Sequence, residues 1–244
     1  MLRHSPLVTQ APRDLPGLIP IISGHPTIVL ELVDADSSFN GLEKRCRTKI
    51  RKALKNGYTG AVRQASGHDI EPDSDFRRLY EGTMERVDAA ALYFFDDRYY
   101  QALLTGLGAD LLIAEVKDPF GATVSASLLM RHLDRIHGHL AGSNPSDVGM
   151  GTNNLLKWVV VEHALDHGIR QFHLGGGVSA GDNLFRFKKS FGGRELEFRV
   201  SGLVIDGDVY DAQVNSRAKE CDTTADVLLA SGYFPAYRGG TSLV

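Results

Sequence analysis

Three β-rich stretches in series, then a strongly apolar helical stretch, then one more strand predict an α+β fold built on a mixed α/β sheet. The strands fall at 110–116, 123–132 and 135–141, the helix at 152–167 and the last strand at 170–174. A turn at Asp118-Pro119-Phe120-Gly121 and a two-residue gap at Leu133-Asp134 make the first three an antiparallel meander. A helix between two strands then implies a crossover. With 244 residues, 43% of them hydrophobic, the chain has material for one large core. No run approaches the roughly 18 apolar residues that span a membrane. The segment MLRHSPLVTQAPRDLPG lacks the apolar centre of a secretory signal. Cys46 and Cys221 are the only cysteines and lie far apart, so a reducing cytoplasm is the expected compartment.

In chain order, residues 1–25 carry four prolines and no period, and read as an extended lead-in. The one boundary falls there, leaving 26–205 as the folded domain and 206–244 as a C-terminal helix and tail. Thr27 to Val33 is β-rich and reads as a strand. Asp36, Ser37 or Ser38 then caps one long helix to Lys55, with Gly57 as its stop. Phe39, Leu42, Cys46, Ile50, Ala53 and Leu54 form its apolar stripe. Off that stripe, Lys44, Arg45, Arg47, Lys49, Arg51, Lys52 and Lys55 put seven positive charges into twelve residues of a chain whose net charge is −3. Such a block on an acidic body is either a solvated face or a site for an anionic partner. A strand at 58–64 and a helix from Asp73 or Ser74 to about Val87 follow. Tyr93, Phe94, Phe95, Tyr99 and Tyr100 then lead into a short helix; Tyr93 and Tyr99 are candidates to position a polar substrate.

The stretch from Arg170 to Gly193 reads as strand, glycine loop, short helix and stop. Gly175-Gly176-Gly177 removes side chains where a backbone or ligand comes close. Asp182 or Asn183 caps the helix, and Gly192-Gly193 ends it. At about 100° per residue, Leu184, Phe187 and Phe191 share one arc with Phe185 at its border, and Lys188 falls inside the apolar arc, between Leu184 and Phe185. An ammonium there snorkels, is paired, or has a task. A last strand pair fits 196–205, and 208–219 reads as helical.

Gly149-Met150-Gly151 opens the apolar helix, capped by Thr152 or Asn153. Bare N–H groups at such a start suit an anion, and a tight turn is the plainer reading. His137 with His139, and His163 with His167, share faces, but no third ligand completes a metal site, and none is expected. No nucleophile elbow, Walker loop or dinucleotide fingerprint is present.

Arg47 to Gly57, Leu79 to Arg86, His173 to Gly177 and above all Asp182-Asn183-Leu184-Phe185-Arg186-Phe187-Lys188-Lys189-Ser190-Phe191-Gly192-Gly193 resemble the FemABX-like branch of the GNAT acyltransferase superfamily, over about residues 26–205. The resemblance implies a GNAT-like fold and an N-acyltransferase that joins an activated acyl or aminoacyl donor to a small-molecule or peptide amine. It implies that Lys188 lies near the reacting acyl ester. Gly149, Gly151, Thr152, Asn153 and Phe187 would serve the donor side. Arg47, Arg51, Lys52 and Lys55 would steer tRNA or contact the acceptor. Aminoacyl-tRNA is the favoured donor. Acetyl-CoA or another acyl-CoA is the alternative, weakened by Ser146 standing where a pyrophosphate loop begins with Arg or Gln. Most such proteins carry two GNAT-like domains, whereas about 25 residues precede the matching part here. A partner protein supplying the other domain is therefore one expectation, and a non-catalytic RNA- or partner-binding module on the same scaffold is another.

Overall fold

The computed structural model describes residues 2–4, 18–179 and 181–240. Its contacts divide into two units: Ile28–Gly177 with Gly181–Arg194, and the flanking chain, which includes Glu195 onward. In the flanking unit, strand β1 (Leu2–His4) pairs antiparallel with β8 (Arg194–Leu203), Leu2 opposite Ser201. Helices α8 (Gly207–Glu220) and α9 (Ala225–Ala230) pack there around Val214, Ala218, Leu228 and Ala236. The lead-in expected over 1–25 is strand from Leu18, because β2 runs Leu18–Glu31; residues 5–17 lie outside the described residues. The strand pair expected over 196–205 is the single strand β8.

The larger unit holds the end of β2 and strands β3 (Thr59–Gln64), β4 (Leu111–Lys117), β5 (Thr123–His132), β6 (Arg135–Ser143) and β7 (Gln171–Gly176). Their order is β2-β7-β6-β5-β4-β3. The meander is as expected, β4 to β6 pairing antiparallel, with Ala114 opposite Ser127 and Ser127 opposite Ala141. The register slips between Leu128 and Leu129. The crossover makes β7 parallel to β6, but only Arg135–His137 pair with Gln171–His173. Beyond that register both strands run on, to Ser143 and Gly176, and a V opens between them.

Helices cover both faces. Helix α1 (Ala35–Gly41), α2 (Lys44–Lys55) and α6 (Thr152–Asp166) cover one, around Ile50, Leu112, Leu129, Val160 and Phe172. Helices α3 (Asp75–Arg86) and α4 (Asp97–Leu107) cover the other, around Phe76, Tyr80, Tyr100, Ile113 and Leu128. Short α5 (Pro145–Val148) precedes α6, and α7 (Asn183–Lys189) follows β7. Asp34 caps α1 by accepting from the Ser37 N–H at 2.7 Å, so the cap lies earlier than expected.

The single helix expected up to Lys55 is two. The chain turns extended at Leu42, and the Arg47 guanidinium donates to the carbonyls of Asn40 and Leu42, satisfying the end of α1. The Ser190 carbonyl accepts from the Glu43 N–H at 2.9 Å, and a Cβ on Gly192 would collide with the Gly41 carbonyl. The break is thus the seat on which the end of α7 rests.

Candidate active site

Helix α7 starts with Asp182, whose carboxylate accepts from the Phe185 N–H at 2.7 Å. Phe185 and Phe191 are buried, and Phe187 packs edge-on to Phe191 with centroids 5.4 Å apart. This anchors the helix on the core and turns Lys188 back toward the strand before it. The Lys188 Nζ donates to the Gly176 carbonyl at 2.6 Å, at the end of β7. It lies 3.3 Å from where a Cβ on Gly175 would stand, and Gly175 has φ +77°, so glycine is needed twice over. Burial pushes the Lys188 ammonium down to about 8, against the pull of Asp182.

A second lysine is buried on α6 and feels the charge of the first. Helix α6 is buried along most of its length, and Lys157, between buried Leu156 and Trp158, is only 8% exposed. Its Nζ donates to the Ser127 hydroxyl on β5 at 3.4 Å, while that hydroxyl itself donates to the Leu140 carbonyl at 2.9 Å. Burial, then the charge on Lys188, brings Lys157 down to about 7.

Two histidines close the V at its paired end. His137 and His173 face each other across β6 and β7 with Nδ1 to Nδ1 at 2.6 Å. One ring donates and the other accepts, so they are opposite tautomers. Burial, then the charges of His139 and the two lysines, pushes His137 down to about 4; burial, then His137 and Lys188, pushes His173 down to about 3, and both are neutral at pH 7. His173 Nε2 is buried and makes no hydrogen bond. Next along β6, His139 Nε2 meets the Tyr99 hydroxyl, and the Tyr99 ring stacks on Phe95 at 4.0 Å. Among the described residues, no group of three His, Cys, Asp or Glu is arranged to hold a metal.

The other residues singled out in the sequence lie elsewhere or are internally engaged. Tyr93 has an exposed ring, and its carbonyl accepts from the Tyr80 hydroxyl. Neither Thr152 nor Asn153 caps α6, whose cap position is Gly151 with φ +92°. Thr152 donates to the Asp147 carbonyl, and Asn153 bonds the Ser125 and Ser143 hydroxyls. The N–H groups of Gly149 and Met150 donate to the Asp147 carbonyl and that of Gly151 to Val148. Lys52 Nζ donates to the Gly149 carbonyl at 3.0 Å, and a Cβ on Gly151 would strike the Lys49 carbonyl, so the loop is closed against α2. Arg51 lies 5.1 Å from the Phe39 ring centroid, and Lys55 is exposed at the helix end. Sequence reasoning passed over Lys157 and the His137–His173 bond. A lysine inside the run LLKWVVV is the signal that marks the first; the second joins residues 36 apart and has no local signal.

A mixed sheet that opens between two parallel strands, with a glycine-led helix beside the opening, is an acyl-transfer framework of the GNAT superfamily. The model described as Acetyltransferase (GNAT) domain matches residues 43–189, and the chain belongs to this family of acyltransferases. Among solved structures, FemX shares the fold with TM-score 0.65 and 16% identity, over 80% of this chain and 68% of that one. L-PGS from Bacillus licheniformis gives 0.53 and 15%, over 78% and 63%. A conserved protein of unknown function from Bacteroides thetaiotaomicron gives 0.56 and 12%, over 78% and 63%. The chain spans less than two thirds of the last two. These likenesses are of fold. No curated protein matches the chain.

Proposed function

We propose that the chain forms an amide between an aminoacyl-tRNA donor and an amine acceptor, with Lys188 at the reacting ester. The observation that carries this reading is the position of the Lys188 ammonium. It is held by the Gly176 carbonyl at the mouth of the V, on a helix fixed by aromatic packing. The acceptor's lone pair forms the C–N bond as the ester C–O bond breaks. The leaving oxygen keeps the bonding pair and takes the proton lost by the nitrogen. Negative charge grows on the carbonyl oxygen in between, and a preorganised cation in a water-poor site stabilises it strongly.

Acyl-CoA is the second reading, favoured by the family to which the chain belongs. Its pyrophosphate would need free N–H groups before α6. Here Gly149, Met150 and Gly151 spend theirs on Asp147 and Val148. That fit is poor, and the basic face of α2 gives RNA a surface instead. The reading places the chain in the cytoplasm, with charged tRNA, and leaves room for a partner protein that completes the acceptor cleft.

The test is amide formation on a panel of small amines, with a charged-tRNA pool and with acetyl-CoA in parallel. Transfer from tRNA, lost in Lys188→Met without a fall in melting temperature, is the expected result. Transfer from acetyl-CoA alone would establish the second reading. No transfer and no binding of either would leave a binding module on the GNAT scaffold.

A further inference from the structure

A second cleft lies at the other end of the sheet from the V, where β3 and β5 end and β4 begins. It measures about 350 Å³. Val62 and Leu112 give it an apolar floor and belong to the core that packs under α6. Arg63, Arg131, His163 and His167 line it as well, and no carboxylate is among its lining residues. Arg63 is already spent, its terminal nitrogens holding Asp69 at 2.6 Å and Glu115 at 3.0 Å. Arg131 uses only its Nε, which donates to Asp110 at 2.7 Å; its two terminal nitrogens have no partner among the described residues. His163 and His167 stand one helical turn apart, and their rings stack with centroids 4.0 Å apart. The His167 Nδ1 is 2.8 Å from the His163 carbonyl, which can only accept, so Nδ1 carries the proton and Nε2 is left for a ligand. The His163 ring has no hydrogen bond among the described residues. Histidines at this spacing also suit a metal, but a metal would share the cleft with Arg131, and no third ligand stands near. The free donors around this cleft therefore ask for an anion.

We propose that this cleft binds a small organic acid, its oxyanion held by the Arg131 fork and the His163 and His167 rings and its apolar body on Val62 and Leu112. The site is separate from the V and does not depend on the acyl-transfer reading. Its volume is at the low end for ligand clefts, which run to about 1,000 Å³, so it suits a small molecule and not a coenzyme. The shared chemistry is one oxyanion, which a carboxylate or a phosphate monoester supplies equally. The charged groups around the two rings are Arg131 with Asp110, Arg63 with Asp69 and Glu115, and Glu162 and Asp166 on α6 itself. Burial, then the charge of His167, holds the His163 imidazole below 6.5; Asp166 opposes this and Arg131 adds to it. Empty, His163 is neutral at pH 7. An anion favours its charged form, so binding takes up a proton and tightens as pH falls.

Titration of the full chain followed by the histidine ring signals in NMR tests this, with phenyl phosphate in one arm, benzoate in a second and uncharged benzyl alcohol in a third. The His163 and His167 signals are assigned by their loss in His163→Gln and His167→Gln. The expected result is saturable movement of both signals by at least one acid, tighter at pH 6 than at pH 8, and none by the alcohol. Arg131→Met should weaken binding about tenfold or more, the loss of a charge-assisted hydrogen bond. His163→Gln should weaken it too and remove its dependence on pH, and it decides the matter if Arg131→Met fails to fold. Phenyl phosphate alone assigns a phosphate monoester, benzoate alone a carboxylate, and both together an oxyanion of either kind. Movement by neither acid, equal movement by the alcohol, or equal binding by the variants overturns the proposal. No turnover is read, so failure to form amides would end the proposed function and leave this site standing.

Discussion

On α2, seven cations stand along a helix in contact with water; behind β6 and β7, two stand in the interior. The first group is large and cheap. Its charges are screened within about 10 Å at ordinary salt, and Arg47, Arg51 and Lys52 each have an internal partner as well. Even so, α2 has basic residues in its first turn and no acid there, against the helix dipole. The second group is small and expensive, since each buried ammonium loses its hydration. Number of charges is therefore a poor guide to which region does chemistry. An exposed array attracts a polyanion from a distance, whereas a buried cation acts only on what reaches it.

That contrast is broken most sharply by removing the interior charge. Lys188→Met keeps the volume and should lower amide formation about 10²–10³-fold, the range for losing one preorganised donor. The melting temperature should stay the same or rise. A variant that loses both activity and several degrees of stability would make Lys188 a structural residue. The exposed array should respond differently. Lys44→Glu, Arg45→Glu and Lys55→Glu in combination should weaken tRNA binding about tenfold or more near 0.1 M salt and flatten the dependence on salt. Its melting temperature should hardly move. Unchanged binding by this variant would leave α2 as a solvated face.

The two regions also differed in how far the sequence disclosed them. The basic block of α2 and the aromatic anchors of α7 are periodic and local, and periodicity places them on faces without a structure. Lys188 stood out because it interrupts an apolar arc. The break at Leu42 was hidden, because it depends on Arg47 reaching back to two carbonyls and on Ser190 arriving from far along the chain. The meander and crossover were legible from turns and strand lengths, but the V was not. β6 and β7 stop pairing after His137 and His173, close to the irregularity in the β5–β6 register, and no local sequence pattern marks that point. Lys157 was legible and passed over: it sits inside the run LLKWVVV, away from the exposed Glu162 and Asp166 of the same helix.

Lys157 sharpens the comparison through pH. The ordinary lysine value is 10.5, and the folded values are about 7 for Lys157 and about 8 for Lys188. Between those values and 10.5 the unfolded chain binds more protons than the folded one, so this contribution to stability rises with pH across that window. The histidines, depressed from 6.5 to about 4 and 3, add the same sign between those limits. Lys157→Met should raise the melting temperature at pH 7 by a few degrees, equivalent to about 1 kcal/mol or more. It should also reduce the climb between pH 7 and 10. A lower melting temperature at pH 7 would show that the Ser127 contact outweighs desolvation.

Arg47 is the case in which the exposed array behaves like the interior. Its guanidinium closes the end of α1, so its loss removes acceptor partners that water replaces only in part. Arg47→Ala should cost about 1 kcal/mol in denaturant unfolding, more than any other single substitution on the cationic face of α2. Because α7 rests on the same break through the Ser190 carbonyl, the effect should extend to Lys188. Amide formation should fall a few-fold with KM for the amine unchanged. If Arg47→Ala leaves stability and turnover intact while weakening tRNA binding as much as the exposed triple variant does, Arg47 belongs with the solvent-facing charges. The boundary between the two regions would then lie between α1 and α7, not along α2.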